Sequence, residues 1–205
     1  MGADWVELDV RRTADDALAV HHDAHLADGR LVAEAAADDL PDAVPLLAAA
    51  LDACAGMGVN IEIKSLPGEA DHDAAQWVAR EVAGLVGMRG AHAEVLVSSF
   101  DPGAVAAVLD VDATIPTASL VLDPGPAGPA AEQAAASGVV ALHPHDAFVD
   151  RALVEATQAA GLAVNVWTVD DESRMAELTE MGVDGIFTNR PDLGRLVVDR
   201  ERPEA

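Results

Sequence analysis

The sequence predicts an α/β protein with a parallel sheet. Short aliphatic runs alternate with longer Ala- and Leu-rich stretches along the 205 residues, an order typical of strands covered by helices. Polar residues gather at the C-terminal ends of the predicted strands, where barrel enzymes build their active sites. An open doubly wound sheet is the alternative, but no Gly-rich phosphate loop follows the first strand. The (β/α)8 TIM-barrel type is therefore favoured.

The predicted elements follow one another in a regular order. Seven runs typical of core strands occupy residues 5–10, 59–64, 95–99, 118–122, 139–143, 163–169 and 185–188. Candidate helices cover residues 44–55, 70–85, 103–109, 130–136, 150–160 and 171–181. Residues 18–22 follow the first strand so closely that they indicate part of a hairpin or an excursion, and residues 123–129 are rich in Pro and Gly and indicate a loop. Glycines just after three helical stretches are expected to form C-terminal caps; they are Gly138, Gly161 and Gly182.

Two of the predicted strands alternate acidic and aliphatic residues. Successive side chains of a strand point to opposite faces, so Glu7 and Asp9 share one face, as do Glu62 and Lys64. In one sheet the three carboxylates would converge, and each like-charge pair about 5 Å apart costs roughly 3 kcal/mol at an effective dielectric of 20. A divalent ion relieves this repulsion, and oxygen ligands favour Mg²⁺ or Ca²⁺. The alternative is a half-exposed antiparallel strand with solvated acids.

Composition excludes several classes of function. The formal net charge of −24 argues against nucleic-acid binding, which depends on Lys and Arg. No segment is long and apolar enough to span a bilayer. The single cysteine, Cys54, excludes an internal disulfide. Lys64 is the one lysine of the chain, so a phosphate-bearing ligand would find its local positive charge on the carboxylate face of the second strand.

Seven short motifs occur in order along the chain. They are ELDV at 7–10, VHHD at 20–23, VPLL at 44–47, IEIK at 61–64, SSFDP at 98–102, VWTV at 166–169 and GVDGIFTNRP at 182–191. Together they resemble the glycerophosphodiester phosphodiesterase family, and the resemblance runs from residue 2 to about residue 193. No single motif suffices, but seven in register are specific.

The resemblance implies a metal-dependent TIM-barrel hydrolase. Such enzymes use Ca²⁺ or Mg²⁺ to cleave small-molecule glycerophosphodiesters to glycerol 3-phosphate and an alcohol. The matching positions imply that Glu7, Asp9 and Glu62 bind the metal, that His22 serves in acid–base catalysis, and that Lys64 contacts phosphate. By analogy, the neighbouring glycerol hydroxyl attacks phosphorus to give a cyclic phosphate, which water then opens.

The start of the chain departs from the family pattern. Family members begin with a strand ending in His-Arg-Gly and a first helix, and both precede the strand that matches residues 5–10. Residues 1–205 are therefore expected to form a single, N-terminally truncated domain with about seven core strands. An inactive fragment or a metal- and phosphodiester-binding module remains an alternative, as does a related enzyme of the lysophospholipase D type. No export signal is visible, so a cytoplasmic location is expected unless a missing segment carries one.

Two further residues are candidates for substrate binding. His143 ends a predicted strand, and its alternative is a hydrogen-bonded structural histidine. His145 is an equal candidate for the inward-facing position. Trp167 could form a wall against the glycerol or alcohol part of a ligand, and its alternative is ordinary barrel packing.

Overall fold

The computed structural model describes residues 2–201 and consists of alternating strands and helices. The strands are β1 (Trp5–Arg12), β2 (Leu18–Val20), β3 (Gly58–Ile63), β4 (Val95–Ser99), β5 (Thr117–Val121), β6 (Ala141–Pro144), β7 (Ala163–Val166) and β8 (Gly185–Ile186). The helices are α1 (Leu47–Ala53), α2 (Trp77–Arg89), α3 (Pro102–Val111), α4 (Ala127–Ala136), α5 (Arg151–Ala159), α6 (Glu172–Met181) and α7 (Pro191–Glu201). From β3 onward each strand is followed by a helix, as the alternation of the sequence predicts.

Internal contacts divide the described residues into two compact units. The N-terminal unit covers residues 5–117, and the C-terminal unit covers residues 2–4 and 118–201. A single domain over residues 1–205 stays a prediction.

The N-terminal unit contains the two acidic strands side by side. Strand β1 pairs antiparallel with β2 and parallel with β3, and β3 pairs parallel with β4. Of the two possibilities for residues 18–22, the hairpin is therefore found, with a strand that ends at Val20. One face of β3 carries Val59, Ile61 and Ile63, which belong to a buried aliphatic cluster with residues of α2 and α3. Because side chains alternate, Asn60 and Glu62 lie on the opposite face, and both are buried.

The C-terminal unit is a run of parallel strands. Strands β5 to β8 pair in sequence order, with Leu120 opposite His143 and Asn165 opposite Gly185. Its strands bury Ala118, Leu142 and Val164. These aliphatic side chains are part of the buried core of the unit.

Helix ends follow the chemistry of their flanking residues. Asp101, Asp150 and Asp171 each accept a hydrogen bond from a backbone N–H of the first turn of α3, α5 and α6. A carboxylate there satisfies an orphan donor and interacts favourably with the helix dipole. Gly182 ends α6 at a φ of 88°, and the positive φ predicted for a glycine cap is also found at Gly161, after α5. Gly138 follows α4 in the same way.

Helix α2 begins seven residues later than the sequence pattern predicts. The expected start at residue 70 is wrong, because residues 65–76 form a loop closed by side-chain hydrogen bonds. Ser65 Oγ accepts from the N–H of Asp73 at 2.9 Å, and the Asp73 carboxylate accepts from the N–H groups of Ala75 and Val78 at 3.2 and 3.0 Å. Asp and Ser side chains compete in this way with the helical backbone.

Two other helices differ from the sequence-based expectation. Helix α4 starts at Ala127, so the predicted loop at residues 123–129 ends earlier, and Pro129 occupies the first turn, where a missing N–H is tolerated. Helix α7 was not predicted. It begins with Pro191 and buries Val197. No helix within residues 2–201 has the length and apolar character needed to cross a membrane.

We expect Gly185→Ala to destabilise the C-terminal unit by about 2 kcal/mol. A Cβ at this position would lie 2.6 Å from Asn165 Oδ1, and the displaced side chain would lose its hydrogen bond to buried His143. Denaturant unfolding followed by fluorescence measures the change. Gly128→Ala in α4 is the matched control, since its Cβ meets no atom within 4 Å, and it should stabilise by about 0.5 kcal/mol. Equal stability of the Gly185 variant and the wild type would contradict the proposed clash.

Candidate metal and phosphate site

Three carboxylates converge on one face of the N-terminal unit. Glu7 and Asp9 are two residues apart on β1, and the parallel register places Asp9 directly opposite Glu62 on β3. One oxygen from each of the three lies within 4.8 Å of the others. The convergence predicted from the acid–aliphatic alternation is thus present, and the half-exposed antiparallel alternative does not apply to this parallel pair. Their role as metal ligands stays a prediction.

Burial and mutual repulsion make this cluster hard to ionise. Burial raises the pKa of Glu7 to about 8, with further contributions from the charges of Asp9 and Glu62. Burial also raises the pKa of Glu62, although Lys64 opposes the change. Glu7 Oε1 is buried and has no hydrogen-bond partner within residues 2–201. Near neutral pH the ion-free cluster therefore holds a proton on Glu7.

Lys64 lies against the same carboxylates. Its Nζ is 3.0 Å from Asp9 Oδ1 and forms a second ion pair with Glu62. Burial alone would lower the pKa of Lys64, but the two carboxylates outweigh it and raise the pKa, so the ammonium persists. An ammonium has three donors, and these contacts use two of them.

The donor set fits a hard divalent cation. All three candidate ligands are carboxylate oxygens, which suit Mg²⁺ or Ca²⁺ better than zinc. With every group ionised, three carboxylates and one ammonium leave a charge of minus two, which a divalent ion neutralises. The buried and unpartnered oxygen of Glu7 is a ready ligand atom.

His22 belongs to the N-terminal unit and lies near the cluster. Its positive form would lower the pKa of Glu62 through the charge interaction between them. The imidazole Nδ1 is 2.7 Å from Asp23 Oδ1, and 71% of the His22 side chain is exposed. The preceding residue is anchored to β1, since the His21 N–H donates to the Asp9 carbonyl at 2.9 Å.

His143 and Trp167 lie in the C-terminal unit. His143 is 1% exposed, and Asn165 Nδ2 donates to its Nε2 at 2.9 Å. Burial lowers the pKa of His143 to about 3, so the ring is neutral, and its Nδ1 has no hydrogen-bond partner within the described chain. The Trp167 indole N–H donates to the His143 carbonyl at 2.7 Å, and its ring packs edge-on against His145. These contacts suit the structural alternative for both residues, and substrate binding stays a prediction.

Sequence reasoning missed Arg11 and Asp71. Arg11 is four residues after Glu7 and two after Asp9, so it continues the polar face of β1 and lies 3% exposed. Extending the strand alternation of Glu7 and Asp9 by two more residues would have predicted that Arg11 lies on the same face. Asp71, whose side chain is 4% exposed, binds Arg11 but lies in the loop that was predicted to be helical.

Comparison with known proteins agrees with the order of motifs. The model of the glycerophosphoryl diester phosphodiesterase family matches residues 1–193. A curated relative, probable glycerophosphodiester phosphodiesterase 2 of Mycobacterium tuberculosis, is 29% identical over 231 aligned positions that cover 97% of this chain and 80% of the relative.

Solved structures confirm the fold. A glycerophosphodiester phosphodiesterase from Parabacteroides distasonis superposes with a TM-score of 0.81 at 25% identity, covering 99% of this chain and 86% of that one. A protein described as a glycerophosphoryl diester phosphodiesterase from Silicibacter pomeroyi superposes with a TM-score of 0.84 at 23% sequence identity. The superposition covers 96% of this chain and 83% of that one. A phosphodiesterase from Oleispira antarctica, solved with its product sn-glycerol-3-phosphate, superposes with a TM-score of 0.76 at 24% sequence identity. The superposition covers 97% of this chain and 86% of that one.

The fold is thus the predicted α/β fold of the (β/α)8-barrel type. The family match extends over nearly the whole chain and includes the strands that carry Glu7, Asp9 and Glu62. This chain therefore belongs to the glycerophosphoryl diester phosphodiesterase family, whose activity is the hydrolysis of glycerophosphodiesters.

Proposed function

We propose that this protein hydrolyses glycerophosphodiesters to glycerol 3-phosphate and a free alcohol, with Ca²⁺ or Mg²⁺ held by Glu7, Asp9 and Glu62. The observation that carries the proposal is the convergence of these three carboxylates within 4.8 Å, with the one lysine of the chain beside them. When bound, the ion supplies positive charge that polarises the phosphoryl oxygens. The substrate is a small phosphodiester.

Lys64 contributes a second positive charge to phosphate binding. The ammonium is held against Asp9 and Glu62, so its position is fixed before the substrate arrives. Its third donor can bind a phosphate oxygen, and a preorganised donor stabilises charge that grows on that oxygen in the transition state.

His22 is proposed as the acid–base residue. Because Asp23 Oδ1 lies 2.7 Å from Nδ1, the neutral ring carries its proton on Nδ1 and presents the lone pair of Nε2. Nε2 accepts the proton of the attacking glycerol hydroxyl as that oxygen bonds to phosphorus, the bond from phosphorus to the alcohol oxygen breaks, and the proton passes to that oxygen so that the alcohol leaves neutral. When water opens the cyclic phosphate, its oxygen bonds to phosphorus, the P–O bond formed in the first step breaks, and Nε2 takes a proton from the water and passes it to the released glycerol oxygen.

His143 and Trp167 are kept as proposed substrate contacts. Support comes from their chemistry: the neutral imidazole has a buried Nδ1 without a partner within the described residues, and the indole is a flat apolar surface. Replacement of either residue should act on the choice of alcohol and leave ion affinity unchanged.

We expect turnover of glycerophosphocholine in the presence of Ca²⁺ or Mg²⁺, measured as glycerol 3-phosphate released. Lysophosphatidylcholine should be cleaved at least about tenfold more slowly if the deacylated diester is the substrate. Faster cleavage of the lysophospholipid would favour the lysophospholipase D alternative. No hydrolysis of either compound, by protein that binds the ion, would favour a binding module.

Ion binding should release a proton at pH 6 and almost none at pH 9. The pKa of Glu7 is raised to about 8 without the ion, so the ion must displace that proton at lower pH. Affinity should therefore rise about tenfold per pH unit between pH 6 and pH 8. Calorimetric titration with Ca²⁺ in two buffers of different ionisation enthalpy measures the proton count. Equal proton release at both pH values would contradict the assignment.

Glu7→Gln tests the same site without the ion. The folded-state pKa of Glu7 lies above its ordinary value of 4.5, so its contribution to stability is present below pH 4.5 and lost as pH rises through 8. At pH 9 the free energy of unfolding of the variant, measured by denaturant titration, should therefore exceed that of the wild type by on the order of 2 kcal/mol. At pH 4.5 the two free energies of unfolding should be nearly equal. Glu34→Gln, at an exposed position, is the matched control.

Replacement of Lys64 should separate ion binding from turnover. Lys64→Met removes a positive charge that repels the cation, so Ca²⁺ affinity at pH 9 should rise several-fold, while kcat/KM falls about a hundredfold because phosphate loses its ammonium. His22→Gln should lower kcat by about 10² to 10⁴ and leave ion affinity unchanged. Steady-state kinetics and calorimetry on the two variants measure both quantities. A parallel loss of affinity and turnover in Lys64→Met would contradict its assignment to phosphate.

A further inference from the structure

Arg11 is a buried cation held by a backbone carbonyl and two carboxylates. Its Nε and Nη2 donate to the carbonyl oxygen of His22 at 3.0 and 2.8 Å, and its Nη1 donates to the two carboxylate oxygens of Asp71 at 2.9 and 2.7 Å. Glu69 lies at 3.4 Å from the same Nη1. The side chain of Arg11 is 3% exposed and that of Asp71 is 4% exposed. The guanidinium is thus committed to these contacts.

The His22 carbonyl, which Arg11 binds, adjoins an exposed imidazole. His22 exposes 71% of its side chain, so packing does little to fix the imidazole. Two donors of one planar guanidinium converge on this single backbone oxygen and hold it at a defined place beside Arg11, which restrains the backbone next to the ring. A lysine would reach the oxygen with a single donor on a flexible stem and would hold it less firmly.

The other side of the contact leads to the loop that follows β3. Asp71 lies within this loop, whose start is bound to its end: Ser65 Oγ accepts from the N–H of Asp73, and Ser65 O is 3.1 Å from His72 Nδ1. Ser65 directly follows Lys64. The Arg11–Asp71 pair therefore connects the strand of Glu7 and Asp9, the turn of His22 and the segment after Lys64.

Stability alone is a weak reason for such an arrangement. Desolvation of a buried ion pair offsets most of its attraction, and apolar replacements are often neutral or stabilising. Fixing three segments that each carry a group of the candidate site is a more specific role.

We propose that Arg11, held by Asp71, is the positioning residue that fixes the His22 backbone so that the imidazole meets the substrate in a constant orientation. This inference rests on the proposed function, because His22 is its acid–base residue. Arg11 touches neither the substrate nor the ion. It acts through His22.

Arg11→Lys is the test variant, since it keeps the buried charge opposite Asp71 but loses the paired donors. We expect kcat to fall about tenfold, because small misplacement of a reacting group slows the chemical step. KM and Ca²⁺ affinity should change less than about twofold, since the carboxylates are untouched. Arg12→Lys is the matched control: Arg12 pairs with exposed Asp16 and covers the Trp77 ring, and its replacement should leave kcat unchanged.

Two readouts distinguish positioning from a structural effect. In a His22→Gln background, Arg11→Lys should cause no further loss of kcat, whereas a structural effect would lower kcat equally in both backgrounds. In the ion-free protein, the heteronuclear ¹⁵N NOE of the His22 and Asp23 amides should fall in Arg11→Lys while that of Ile61 stays unchanged. If Arg11→Lys does not fold, Asp71→Asn is measured instead, with the same expected directions.

The outcomes separate this inference from the proposed function. Unchanged NOE values at His22 in the variant would overturn the positioning role, whatever the activity. Additive loss of kcat in the His22→Gln background would overturn it as well. Absence of turnover in the wild type, with a lower NOE at His22 in the variant, would refute the proposed function alone and support the fixation of His22 by Arg11.

Discussion

The structure of the candidate site depends on three carboxylates held close together against their mutual repulsion. The parallel register of β1 and β3 places Asp9 opposite Glu62, and alternation along β1 adds Glu7. The buried aliphatic face of β3 fixes this register, because a slip by one residue would turn Ile61 and Ile63 to the polar side. Packing on the aliphatic face of β3 therefore holds the carboxylates of the polar face close together in spite of their repulsion. While no ion is bound, the proton on Glu7 and the charge of Lys64 reduce this repulsion.

The polar network extends from the carboxylates toward the segments that follow them. Lys64 contacts the cluster directly, whereas Arg11 connects β1 to the His22 carbonyl and to Asp71. Both basic side chains are mostly buried in a chain with a net charge of −24. Burial protects such pairs from screening by salt, so their geometry should persist over a wide range of ionic strength.

Much of the fold and of the site could be predicted from local pattern. Strand period two placed Glu7, Asp9 and Glu62 together, and short aliphatic runs between helical stretches predicted the parallel strands. The start of α2 could not be predicted, because Ser65 and Asp73 end the loop through contacts eight residues apart that leave no periodic signal. Asp71 was missed for the same reason: its partner Arg11 lies 60 residues away. The environment of His143, neutral and buried, likewise depends on Asn165 of the neighbouring strand.

The strong negative charge of the molecule has a consequence for the last step of the proposed reaction. A glycerophosphodiester carries one negative charge on phosphorus, whereas the released monoester carries nearly two near neutral pH. With a divalent ion bound, three carboxylates and one ammonium would sum to about zero, so the rest of the chain carries the negative charge that gives a formal net charge of −24. The field of this charge acts more strongly on the monoester than on the diester, because the monoester carries more negative charge. The same field that slows substrate capture therefore speeds product departure, and it reduces inhibition by accumulated product.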